Sequence, residues 1–461
     1  MLTTIVAGAF VLGVVVLVHE FGHFIVAKLG GIYVKTFSIG FGKKVLRYRH
    51  GETEYVLSIL PFGGYVRFAG ETEYYRDEEG GAQTIEEIDS GDEVPDSEIP
   101  RDRYFTTKSK WIRAAVLFAG PFANYVTAIL IYVGILYFGG VMVSPTRTLG
   151  TVTEGGPAAV AGLAVGDEIV AIDGESVLHW GEITAPFVAD PAAPRMLSVK
   201  RGAETLEIGL TPVVDEDNRI DLGFGAHLPA KIGRVQKSKP AWKAGIRTGA
   251  VIEAINDTLV TSYDDVRRIV HAHPGEPLYF RWSQGSEVKA DTIIPDSAER
   301  LKPGSETEFV TLGLIGIGPD AIRLREGLGE AMSHGFAWTN GTIAQIVMYL
   351  GKLFTGQMSV KTLGGPILIT QMAGDTANWG FDSLLVFLAF FNINLCIFNL
   401  IPIMPFDGGH LAILGVEGIT RRQLPRRLRE WLTQAGFILI ILLMLFVVTL
   451  DLTRCSGISL F

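Results

Sequence analysis

A chain of 461 residues is too long for one compact domain, and a mean hydropathy of +0.31 with only 19% charged residues points to a membrane protein with soluble parts. The net charge of −9 argues against nucleic acid as a partner, because phosphate binding needs a basic face and the longest charged stretch here is acidic. Two cysteines, Cys396 in an apolar run and Cys455 near the C-terminus, are too few for a disulfide framework.

Residues 1–28 are expected to form the first of four transmembrane helices. Leu2 to Val18 carries no charge, and with the following residues the apolar segment is long enough to cross a hydrocarbon core of about 30 Å. Within it lies VLVHEFGHFIVAKLG, Val16 to Gly30. His19 and His23 stand four residues apart, so on a helix they share a face and can reach one ion, while Glu20 can reach that ion's water. This is the spacing of zinc hydrolases. An ionisable side chain at membrane depth costs about 2.5–3.5 kcal/mol on insertion scales, and a bound cation compensates for it. The bland alternatives are a signal peptide, which lacks its basic flank and small-residue cleavage site here, or two histidines satisfied between packed helices.

Residues 33–70 read as membrane-associated strands, with turn signals at His50-Gly51 and Gly63-Gly64. Lys35, Lys43, Lys44, Arg47 and Arg49 follow the span directly, which puts this flank in the cytoplasm and the N-terminus outside. An exposed strand edge beside a membrane site can pair with an extended peptide through its main chain. That makes Tyr55, Val56, Leu57, Gly63 and Gly64 candidate substrate-binding residues; the alternative is a sheet that only packs. Residues 71–110 form a cytoplasmic loop whose acidic part, Glu71 to Arg103, is expected to be solvated and without chemistry. The second span, 111–139, opens on Lys108, Lys110 and Arg113 and contains Gly120-Pro121 and Asn124. A Gly-Pro pair in a span is expected to kink it and free backbone groups, which suggests packing against the site.

From Ser144 to about Gly318 the composition turns soluble and contains a repeat. Gly155 to Val177 aligns without gaps on Ser238 to Val260: Pro157, Ala158, Ala161, Gly162, Gly166, Ile169 and Ile172 fall on Pro240, Ala241, Ala244, Gly245, Gly249, Ile252 and Ile255. A helix of small residues, a tight glycine turn and an alternating strand resemble PDZ domains of the bacterial membrane-protease type, here 144–226 and 229–318. Such domains take an extended peptide as an added strand. Neither copy has Gly-Leu-Gly-Phe, so a role as steric screen is favoured over peptide binding.

Ile322 to Phe354 is amphipathic with a helical period, and 320–362 is expected to be interfacial helix on the outer surface. The third span, 381–403, carries Asn392, Asn394 and Asn399, then Pro402, Pro405 and the turn-forming Asp407-Gly408-Gly409. After a basic loop (Arg421, Arg422, Arg426, Arg427, Arg429) the last span, 431–451, returns the C-terminus to the outside. A catalytic zinc keeps three protein ligands and one open position. Asp407 is the acidic residue that irregular backbone can present at a cavity. If the chain crosses three times before it, Asp407 and His23 share the inner half of the membrane; a further crossing at Ile322 to Phe354 would separate them by tens of ångströms, given a core of about 30 Å.

HEFGH, LPFGGYV, AGPFAN, the tandem PDZ pair, LGGP (Leu363 to Pro366) and NxxPxxxFDGGH together resemble the site-2 protease family, in its bacterial RseP type, over nearly the whole chain. Where that family usually has Asn-x-x-Pro-x-Pro-x-Leu-Asp-Gly, this chain has Met404 for the second proline and Phe406 for the leucine, departures that touch the loop's shape rather than the ligand. The resemblance implies one zinc per chain on His19, His23 and Asp407, Glu20 as base, and Asn394 and Asn399, with Pro402, at the substrate backbone. It implies an intramembrane zinc endopeptidase that cleaves single-span membrane proteins such as anti-sigma factors, and remnant signal peptides, after a first protease has shortened them. The expected fold is a multi-pass α-helical membrane protein of four transmembrane helices with a membrane-associated β-hairpin and two extracytoplasmic PDZ domains. Expected placement is the bacterial inner membrane, with both termini and the PDZ domains periplasmic and the motif toward the cytoplasmic half. The rival readings are a non-catalytic PDZ-bearing adaptor and a metal transporter; the latter would need ionisable relays in the other spans, and none is visible.

Overall fold

The computed structural model describes residues 2–70, 94–214, 220–302 and 308–456. It divides into two compact units, Met1–Ile135 with Gly327–Phe461, and Leu136–Glu326. Four helices among the described residues are long and apolar enough to cross a membrane: Leu2–Leu29, Lys110–Gly139, Phe381–Leu400 and Arg427–Thr453. With the sheets described below they make a mixed α+β membrane protein.

In the first unit the elements run α1 (Leu2–Leu29), β1 (Val34–His50), β2 (Thr53–Phe68), α2 (Lys110–Gly134), α3 (Leu328–Phe354), α4 (Pro366–Trp379), α5 (Phe381–Leu400), α6 (Asp407–Thr420) and α7 (Arg426–Ser456). Small residues let the helices close on one another. A Cβ on Gly22 of α1 would overlap the Ala119 carbonyl of α2. Further along α1, Ala7, Val11 and Val15 pack on Ala373 of α4 and on Phe387 and Leu388 of α5. Ala128 and Tyr132 of α2, Ile346 of α3, and Ala389 and Ile393 of α5 form a second apolar contact. The helix α2 continues through Pro121.

Helix α7 exposes Phe437, Ile438, Leu442 and Leu445 and is tied to the unit at Arg429, which pairs with Glu417 of α6 at 2.7 Å, and at two further points. A Cβ on Gly436 would overlap the Met404 carbonyl. Asp451, only 1% exposed, accepts hydrogen bonds from the amides of Gly365 (3.0 Å), Ile367 (3.1 Å) and Leu368 (3.1 Å) and so caps α4 where LGGP begins it.

The strands β1 and β2 fold back on themselves. Phe37 pairs with Val66 on one side and Tyr55 on the other, and Ser38 with Tyr65 and Val56; Val56 in turn pairs with Arg47. The spatial order is therefore Gly64–Phe68, Val34–Ile39, Glu54–Leu57, Leu46–His50. Tyr55, Val56 and Leu57 have strand partners on both sides, so they are not the free edge that sequence reading made them. The segment before α2 is not all solvated loop either. Residues 71–93 lie outside the described residues, but from Val94 onward the chain makes short 3₁₀ turns in which Ile99 and Tyr104 pack on Ala69. Arg103 also pairs with Glu52 at the hairpin turn, 2.7 Å away.

The second unit holds the repeat. Strands Glu168–Ile172, Arg195–Arg201 and Glu204–Leu210 have counterparts Val251–Ile255, Leu278–Gln284 and Glu287–Ile293, each beginning 83 residues later, and both four-stranded sheets have the same order. The cores correspond position by position: Ile169, Ile183, Phe187, Leu197 and Val199 in one copy, Ile252, Val266, Val270, Phe280 and Trp282 in the other. The chain enters and leaves this unit by a two-stranded ribbon, Val141–Val143 against Ile322–Leu324. This corrects the reading of 320–362: Ile322 starts a strand because its backbone pairs with Val143, and helix begins only at Leu328, after extended Gly327.

Candidate active site

Two elements of the first unit, α1 and α6, bring side chains to one point. His19 and His23, both 7% exposed, project from the same face of α1, as four-residue spacing requires. Asp407, first residue of α6, is turned toward them by the irregular stretch Ile401–Phe406 that ends α5. Its Oδ2 lies 3.2 Å from His19 Nε2 and 3.4 Å from His23 Nε2, and the two Nε2 atoms are 3.2 Å apart. His23 Nδ1 donates to the Val116 carbonyl at 2.7 Å, which leaves its Nε2 with a lone pair.

The donor set fits a tetrahedral zinc. Ligand bonds of about 2.0–2.1 Å place neighbouring donors of a tetrahedron about 3.3–3.4 Å apart, close to the spacings here. Asp407 Oδ2 is buried and receives no hydrogen bond, a costly state for a carboxylate oxygen that a cation relieves. Among the described residues this is the group of His, Cys, Asp and Glu side chains clustered tightly enough to hold a metal.

Around the triad is a cavity of about 240 Å³, lined by Glu20, Tyr65, Val66, Arg113, Met404, Pro405, His410 and Arg429 as well as the three candidate ligands. Glu20 stands beside the two imidazoles, and the Val66 amide faces its carboxylate. A Cβ on Gly64 would sit 3.3 Å from Glu20 Cγ and 2.7 Å from the Ser38 carbonyl, so glycine keeps this strand close to the acid. The Gly64–Phe68 strand pairs with β1 on one side and has no strand partner on the other among the described residues.

The remaining predicted residues divide. Asn399 comes to His19, its Nδ2 3.1 Å from Nε2. Asn394 does not: its amide hydrogen-bonds the Phe390 carbonyl one turn earlier at 2.8 Å. Pro402 is exposed, and its neighbours Met404 and Pro405 line the cavity instead. Gly63, with φ of 111°, makes the turn into the edge strand, and a Cβ there would overlap the Phe41 ring. The stretch with Gly120-Pro121 and Asn124, expected from the sequence to pack against the site, lies against both histidines. A Cβ on Gly120 would overlap His23 Nε2 and lie 2.7 Å from His19 Cε1; Asn124, wholly buried, meets His19 Nδ1 at 3.3 Å. The available signal was polar Asn124 one turn beyond a glycine inside an apolar span.

The family model for peptidase family M50 matches residues 7–443. The regulator of sigma-E protease RseP of Escherichia coli K12 is 32% identical over 94% of this chain and 94% of its own. Protease RseP of Yersinia pestis is 30% identical over the same shares, and the regulator of sigma E protease of Haemophilus influenzae is 29% identical over 97% of this chain and 98% of its own. Among solved structures, the PDZ domain of an SdrC-like protein from Listeria monocytogenes covers 20% of this chain and 86% of that one at 18% identity; its TM-score of 0.16 carries no argument. With a family match that spans the HEFGH helix and Asp407 alike, the chain belongs to peptidase family M50 and is a metalloprotease.

Proposed function

We propose that this metalloprotease hydrolyses a peptide bond within or at the edge of the bilayer, with one zinc held by His19, His23 and Asp407 and with Glu20 as general base. The observation that carries the reading is the approach of three donor atoms, from α1 and α6, to within 3.2–3.4 Å of one another. Relatives from Vibrio cholerae and Neisseria meningitidis carry the words zinc metalloprotease in their names, which supports zinc as the metal. When bound, zinc polarises a scissile carbonyl and brings the pKa of water down to about 7. Glu20 takes the proton of the attacking water and passes it to the leaving amine.

A substrate must reach this acid extended, since a helix hides its carbonyls in its own hydrogen bonds. The unpartnered side of Gly64–Phe68 supplies the main-chain donors and acceptors that would hold it so, next to Glu20. That moves substrate binding from the interior Tyr55–Leu57 strand to the edge strand on the far side of Val34–Ile39. Asn399, beside His19, is suited to a substrate carbonyl. The relatives' printed names, regulator of sigma-E protease, support a substrate of the anti-sigma type; its single membrane span, and remnant signal peptides as further substrates, belong to the same proposal. The two repeat copies are read as PDZ domains on the periplasmic side that exclude bulky ectodomains, and the basic residues after α1 support a cytoplasmic placement for its motif end in a bacterial inner membrane. The adaptor alternative finds no support in these names.

The deciding experiment is Glu20→Gln in the purified, reconstituted protein. Zinc content should stay at the parent level while cleavage of a single-span substrate is lost. Cleavage at the parent rate would overturn the mechanism.

A further inference from the structure

Val116, Gly120 and Asn124 fall at four-residue intervals on α2, so one stripe of that helix lies along both imidazoles. Each position does something different. The Val116 carbonyl takes the His23 Nδ1 proton, and bare Gly120 leaves the rings room. Asn124 faces His19 Nδ1, 3.3 Å from its Nδ2, and is 0% exposed. An amide nitrogen only donates. If it donated to Nδ1, the ring proton would sit on Nε2, pointed at the Asp407 and His23 atoms that His19 is to share a metal with. In that orientation Asn124 Oδ1 is also buried without a hydrogen-bond partner. The oxygen and nitrogen of an amide have the same shape, and exchanging them resolves both faults. Nδ1–H then donates to Oδ1, and Nε2 keeps its lone pair. Asn399 is not the alternative partner, for its Nδ2 lies nearer Nε2 (3.1 Å) than Nδ1 (3.4 Å).

We propose that Asn124 is a positioning residue whose side-chain oxygen accepts the His19 Nδ1 proton and thereby fixes the metal-binding tautomer of His19. The inference rests on the zinc reading of the site, which it deepens. It assigns to α2 both outer contacts of the histidine pair, a backbone carbonyl for one and a side-chain oxygen for the other.

The test is zinc affinity of the purified full chain by chelator competition, together with the visible spectrum of the cobalt-substituted protein. Asn124→Leu, of similar size and without an acceptor, should weaken zinc binding about 10–100-fold, and Asn124→Asp, which keeps the acceptor, should stay within about threefold of the parent with its cobalt bands retained. Asn124→Ala against Asn124→Asp makes the same comparison if the leucine variant does not fold. Parent-like affinity in both variants that lack the acceptor, or loss in Asn124→Asp as deep as theirs, would overturn the proposal. His23→Ala is the separate control: zinc retained there sinks the ligand assignment itself, whatever Asn124 does.

Discussion

Gly120 is bare because two imidazoles occupy the place where its side chain would be. Overpacking a closed site costs about 1–3 kcal/mol, and at this position the strain falls on the metal-facing nitrogens. Gly120→Ala is therefore expected to lower zinc affinity about 5–150-fold while the helical content is kept, as read by chelator competition and circular dichroism; parent-like affinity would contradict the close approach. Much of this site was legible beforehand. Four-residue spacing puts two histidines on one helical face whatever surrounds them, and counting membrane crossings brought Asp407 to their side. That Gly120 and Asn124 pack against the site was foreseeable, but which atom meets which imidazole was not, because sequence does not say how α2 is rotated about its axis. Asn394 donates to the Phe390 carbonyl of its own helix, as a span residue with a polar head can.

Strand existence was readable from alternation and turn signals, whereas strand order was not. A hairpin that doubles back gives interior and edge segments the same pattern, so Tyr55–Leu57 and Tyr65–Phe68 could be told apart only by their partners. The edge assignment has a direct consequence for Val66, whose amide faces Glu20. Val66→Pro removes that donor and is tolerated sterically only where a strand is not paired on that side. It should depress cleavage of an extended single-span substrate at least tenfold with zinc content unchanged (about 1.4 kcal/mol); undiminished cleavage would remove the edge from the mechanism. At the helix Tyr263–Ala272 the controlling feature is a capping box between Ser262 and Asp265. Burial works against the Asp265 charge, but hydrogen bonds from Ser262, Arg268 and Thr261 outweigh it and bring the carboxyl down to about 2. A depressed carboxyl adds stability above its unfolded pKa and loses it as pH falls through the folded value. Protection of the 263–272 amides, corrected for intrinsic exchange, should thus be constant above about pH 4 and decline toward pH 2, by about 1 kcal/mol for the cap. Unchanged protection across that window would show the cap to be idle.

At the scale of the molecule the repeat was half visible. Residues 155–177 and 238–260 still share a proline (157/240), two glycines (162/245, 166/249) and two isoleucines (169/252, 172/255), but Arg195–Leu210 and Leu278–Ile293 keep little beyond alternation and a turn glycine, Gly202 and Gly285. Only the structure extends the correspondence through the last sheet strand, and it does so without a gap. The strand at Ile322 escaped notice because three residues are too few for periodicity to speak. Each copy closes its own core, the second around Trp282, so damage there should stay there. Trp282→Ala, expected to cost about 3–5 kcal/mol, should expose residues 229–318 to protease while zinc affinity holds; zinc lost in parallel would contradict separate cores. Finally, Asp451 alters the meaning of the chain's far end. Three amides at the start of another helix depend on one carboxylate near the close of the last apolar one, and in hydrocarbon no solvent can replace it. Residues up to 451 are therefore the keystone of α4 rather than a trailing anchor, and a deletion reaching them would loosen a helix that begins 85 positions earlier.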